Sequence, residues 1–136
     1  MDDRLNERTA AALDSASTWR GVTWAGGGAV SELRIDGRVF GRVSEDGLEV
    51  AFPGRLAEAV VRHDMAQRHE DAGWTRLPVE DVGEAVALLR LAHLSHVAHI
   101  RRIRAAYTDV DLDDALAELD LSPGLIHLVR ELQRRE

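Results

Sequence analysis

Histidine is the side chain best suited to proton transfer or metal ligation near neutral pH, and this 136-residue chain carries six. Three of them recur at intervals of three in His93-Leu94-Ser95-His96-Val97-Ala98-His99. On a helix each step of three turns about 300°, so successive members lie on neighbouring ridges of one face. His96 shares its arc with Leu89, Ile100, Ile103 and Tyr107, the apolar stripe, and His93 and His99 flank it. His93 and His99 would stand about 9 Å apart along the axis, so at most two of the three could share one ion. The other ligands would have to come from elsewhere, such as His63 or His69. Histidines bonded to backbone or carboxylates, or lining an interface, outweigh a metal site whose remaining ligands the sequence does not locate. His69 and His96 are therefore the candidate catalytic residues, and His93 and His96 the candidate metal ligands. No cofactor is implied.

Three tryptophans stand out in a chain with 4% aromatic residues. Trp74 belongs on a strand and packs in the core. Trp19 and Trp24 flank Gly26-Gly27-Gly28, where they either line a pocket or cover a sheet edge. The candidate ligand pocket comprises Trp24, Arg42, Trp74, His93 and His96. The glycine run lacks the Gly-Lys-Ser/Thr ending of a phosphate loop and is followed by a strand, so it is a connection or a bulge. Asp109, Asp111, Asp113 and Asp114 lack the central glycine and closing glutamate of a calcium loop, and helix capping accounts for them. Arg101, Arg102 and Arg104, with Arg130, Arg134 and Arg135, complement helix ends and pair with those acids rather than forming a nucleic-acid patch. No Gly-x-Ser-x-Gly elbow supports serine hydrolysis.

These residues need a scaffold, and composition bounds it. The 45% hydrophobic and 30% charged residues are ordinary for one folded domain. The absence of cysteine excludes disulfides, zinc-thiolate sites and thiol nucleophiles. A net charge of −7 argues against nucleic acid. Met1-Asp2-Asp3-Arg4 is not the opening of a signal peptide, and no apolar run is long enough for a membrane span, so the expected compartment is the cytoplasm. All 17 basic residues are arginine, which reads as codon bias of a GC-rich, actinobacterial type of genome.

An amphipathic helix is expected from Asp3 to Ala16. Strand-like stretches at 29–35, 38–44 and 48–52 end at Asp36-Gly37, Asp46-Gly47 and Pro53-Gly54, and the two Asp-Gly pairs predict hairpins. Helical spacing covers Leu56, Ala59, Val60 and His63. Residues 64–72 read as irregular or loosely helical, and Trp74 to Leu77 as a short strand. Glu80 and Asp81 open a long helix running to about Ala106, Asp111 to Leu119 forms a short one, and Ser122-Pro123 starts the last. The fold class is α+β: an antiparallel meander of three to five strands with helices on one face. Residues 1–107 form the core domain. Residues 108–136 form a helical extension packed on that core or on a homodimer partner, through Leu116, Leu119, Leu125, Leu128, Val129 and Leu132.

Gly47, Phe52-Pro53, Leu56 to Val61, His69, Gly73-Trp74 and Leu88-Leu89-Arg90-Leu91 together resemble the small bacterial luciferase-domain proteins. The element order is similar to that of the MmcQ/YjbR-like proteins, a group labelled DNA-binding. The resemblance covers roughly residues 20–97. It departs where the family carries two strand histidines, here Arg42 and Ser44, and where it carries adjacent histidines, here Arg68 and His69. If those histidines do chemistry, this chain has lost or moved it. No flavin or luciferin signature is present, so no luminescence is expected. The resemblance and the missing catalytic set imply a non-catalytic module binding a small ligand or protein. The alternatives are a small histidine-dependent enzyme, metal-assisted or not, and YjbR-like DNA binding.

Overall fold

The computed structural model describes residues 16, 18–25, 31–44, 47–52, 56–62, 67–68, 74–76, 82–103, 105–119 and 121–133. They form an α+β fold whose centre is a six-stranded antiparallel sheet. The strands are β1 (Val22–Ala25), β2 (Ser31–Ile35), β3 (Arg38–Ser44), β4 (Gly47–Ala51), β5 (Gln67–Arg68) and β6 (Trp74–Arg76), in spatial order β1-β2-β3-β4-β6-β5. The β2–β3 turn is made by Asp36 and Gly37, at φ 54° and 79°. Two successive left-handed residues match the twist of the flanking strands, which is why Asp-Gly closes this hairpin. Ser44 pairs with Gly47, leaving two residues for the β3–β4 loop. The Gly26–Gly28 run and the amino-terminal stretch before Ala16 lie outside the described residues.

Two differences from the sequence expectation concern the sheet. It has two strands beyond the four stretches expected: Val22–Ala25 pairs with β2 at one edge, and Gln67–Arg68 pairs with β6 inside the stretch expected to be irregular. A two-residue strand is held by its partner rather than by any pattern of its own. The second difference is a bulge between β2 and β3: Leu33 faces Gly41 and Arg34 faces Val39, so Phe40 has no opposite residue. Phe40 and Gly41 both turn toward the helices as a result. A Cβ on Gly41 would lie 3.3 Å from Leu33 and 3.4 Å from Leu89, so glycine is what lets the long helix come so close.

Among the described residues the helices are α1 (Leu56–Arg62), α2 (Val82–Ile103), α3 (Leu112–Ala117) and α4 (Pro123–Gln133). α2 lies on β3 and β4, and α4 packs against α2 and α1. Leu33, Ile35, Phe40, Leu48 and Val50 from the sheet join Leu88, Leu89, Leu91, Leu94 and Val97 of α2 in one buried cluster. Leu112, Leu116, Leu125 and Val129 enter the same cluster, so the carboxy-terminal helices complete this chain's own core. Asp111 caps α3, its Oδ1 accepting the Asp114 N–H at 3.1 Å. Asp109 pairs with Arg20 and Asp113 with Arg130, both at the surface. No described helix is long and apolar enough to cross a membrane.

Candidate functional site

α2 fixes the histidine row, and the neighbours of each ring decide what it can do. His93 is 0% exposed. Its Nδ1 lies 3.0 Å from Arg90 Nη1 and its Nε2 lies 2.8 Å from the Arg20 carbonyl oxygen. A guanidinium has only donors and a carbonyl only accepts. Arg90 therefore donates to Nδ1, and Nε2–H donates to Arg20: the partners assign the neutral Nε2–H tautomer. The ring sits between Trp19 and Phe40, with centroid separations of 5.5 and 6.0 Å, and the Arg90 guanidinium covers Trp19 at 5.2 Å. Burial chiefly drives His93 down from 6.5 to about 4. The Arg20 carbonyl bond opposes the shift, and the Arg90 and His96 charges add to it. Both nitrogens are engaged, so His93 has no lone pair to offer a metal or a substrate proton. The sequence placed it at the flank of the apolar arc. It is buried deeper than His96 because the turn at Trp19–Gly21 folds over it.

His96 is 8% exposed, its Nε2 lying 2.9 Å from the Ala51 carbonyl oxygen of β4. That bond puts the hydrogen on Nε2 and leaves a lone pair on Nδ1, which is buried and has no hydrogen-bond partner. His99 is half-buried, and its Nδ1 is likewise buried without a partner. Burial first and then the Arg38 charge lower both rings below the usual imidazole range. The Ala51 carbonyl bond opposes this for His96, and His99 and Arg102 add to it for His96 and His99 respectively.

Arg42 and Trp74 lie elsewhere. Arg42 follows the inward-facing Gly41, so it points to the opposite face of the sheet. Its guanidinium stacks 4.0 Å above the Trp74 ring, and its Nε donates to Glu49 Oε1 at 3.0 Å. Glu49 pairs in register with Arg42 on one side and Arg76 on the other, is 3% exposed, and lies 3.9 Å from Arg76 Nε. This row ties three strands together. The candidate pocket residues are thus divided by the sheet, His93 and His96 on the helix side and Arg42 and Trp74 on the other. Trp24 stands opposite Leu33 in β1. His69 and His63 lie outside the described residues.

Sequence reasoning missed the Arg20 carbonyl, since no local pattern joins residues 73 positions apart. It also missed Arg38, on the strand beside His96 and His99. Arg90, three residues before His93, was the one legible partner. Among the described residues no group of three or more His, Asp or Glu could hold a metal ion. No family model, curated protein or solved structure matches the chain.

Proposed function

We propose that this chain is a non-catalytic binding module of the luciferase-domain type, without luminescence, that receives a small ligand or a protein partner. The observation carrying the reading is the state of His93. The most buried imidazole of the row has both nitrogens engaged, Nε2 holding the Trp19–Gly21 turn through the Arg20 carbonyl and Nδ1 accepting from Arg90 on α2 itself, so it cannot serve as base or ligand. A second reading, a histidine-dependent enzyme, draws on the free lone pair of His96 Nδ1, which a proton-transfer role requires. A homodimer through the carboxy-terminal helices belongs to the first reading. Leu128 and Leu132 of α4 are only partly buried, and Ile103 at the end of α2 is 56% exposed.

The test is a thermal-shift screen of small molecules on untagged protein, with every hit incubated and recovered for mass spectrometry. Recovery of each ligand chemically unchanged, bound to a monomer or dimer of defined native mass, is the expected result. Conversion of a ligand that stops in His96→Gln or His69→Gln would transfer the assignment to the enzyme reading. A strictly monomeric protein that answers to no ligand would remove the binding-module reading.

A further inference from the structure

The two ends of the sheet are finished differently. At one end β5 is two residues long, too short to template a further strand. At the other stands β1, Val-Thr-Trp-Ala, and among the described elements only β2 packs closely along it. β1 carries none of the devices that blunt an exposed edge: it has no charge and no proline, and it pairs with β2 without a bulge. Which of its backbone groups face outward follows from the neighbouring hairpin. Ile35 and Arg38 flank the two-residue Asp36-Gly37 turn, so their N–H and C=O groups point at each other. These directions alternate along a strand, so Arg34 and Glu32 turn theirs to β1, where they meet Thr23 and Ala25. Val22 and Trp24 therefore turn theirs away from the sheet. The Val22 N–H bends back to the Trp19 carbonyl at 3.2 Å, which ends the strand. Among the described residues no backbone group bonds to the outward N–H and C=O of Trp24.

A donor and an acceptor presented by one residue of an uncharged edge strand are half of an antiparallel ladder. We propose that a second copy of this chain pairs with β1 about a two-fold axis at Trp24, each Trp24 N–H donating to the Trp24 carbonyl of the other copy. In this register Thr23 lies beside Ala25 across the junction. Like charges therefore do not meet along the strand, although each chain carries a net charge of −7. Closure selects the occupant. A foreign peptide added to β1 would move the open edge onto itself. A second copy closes both β1 edges in one contact and leaves only the two-residue β5 strands outside. The junction is separate from the carboxy-terminal helices, whose Leu125 and Val129 are buried in this chain's own core. It goes beyond the binding-module reading and does not depend on the ligand.

Amide hydrogen exchange of the full chain, read beside its sedimentation mass over a range of concentrations, tests the junction. An outward amide on an open edge exchanges freely. Trp24 should therefore slow by at least about tenfold as the mass rises from one chain to two. Two variants isolate the backbone bond. Trp24→Pro and Trp24→Val both remove the indole, but only proline removes the N–H, and at an outward-facing edge position it leaves the β1–β2 ladder intact. Trp24→Pro should dimerise at least about tenfold more weakly than Trp24→Val, because each dimer loses two bonds. Equal dissociation constants would overturn the proposal. So would a wild type that stays monomeric at every concentration, or a mass that grows past two chains, since a two-fold junction closes. A dimer whose Trp24 amide still exchanges freely would also overturn it and pass the contact to the carboxy-terminal helices. If Trp24→Pro does not fold, exchange in the wild type decides alone.

Discussion

His93 illustrates how far a residue's chemistry is set by its partners. Held as a neutral Nε2–H imidazole, it resists protonation until about pH 4, whereas the unfolded chain takes up the proton near 6.5. The unfolded state thus binds more protons within that window. The contribution is complete above pH 6.5 and drains away as the pH falls toward 4, by about 3 kcal/mol in all. Glutamine offers one donor and one acceptor without titrating. Denaturant unfolding should therefore show the wild type losing about 3 kcal/mol more than His93→Gln across this window. Equal losses would mean that His93 titrates as an ordinary surface histidine. Gly21 tests the same contact from the other side. It sits at φ 77°, and a Cβ there would come within 2.5 Å of the Tyr107 ring. Gly21→Ala should destabilise by more than about 1 kcal/mol, read as a lower denaturation midpoint with unchanged slope.

At the scale of elements, the Asp36-Gly37 turn, the long helix and the Ser-Pro start of α4 were legible, because each is a local rule about dihedrals or caps. The bulge at Phe40 was not. It arises from pairing between strands and carries no marker in the sequence, yet it sets Phe40 between His93 and His96. The division of the candidate pocket was hidden for a related reason: Arg42 and Trp74 meet across strands, and a change of sheet face depends on register. Their partner Glu49 makes a prediction. A 3% exposed carboxylate between Arg42 and Arg76 compensates both cations, so Glu49→Ala should cost about 2 kcal/mol of unfolding free energy. An unchanged unfolding free energy in that variant would show that this row does not hold the three strands together. Leu125, buried at the junction of α4 with the core, should cost about 2–5 kcal/mol when changed to alanine. A negligible change in unfolding free energy would show that α4 docks only loosely.

Across the whole molecule, the 22-residue α2 is the spine on which everything else converges. Its first half meets β3, its middle holds the Trp19–Gly21 turn through His93 and β4 through His96, and its end anchors the following segment. There Arg101 donates to the Tyr107 and Val110 carbonyls. One row of imidazoles thus changes character along its length, from structural bond to unengaged acceptor. The spacing of the histidines announced the row. What distinguishes its members comes from residues 20, 38 and 51, which only the fold brings near. Nitrogen NMR of the imidazoles in the folded protein, recorded from neutral pH downward, addresses that division directly. The expected spectrum at neutral pH has His93 and His96 both neutral with the hydrogen on Nε2, and His93 unchanged until well below pH 6.5. A His93 ring that protonates near 6.5, or one carrying its hydrogen on Nδ1, would contradict the structural role given to it and return the histidine row to the candidates for catalysis.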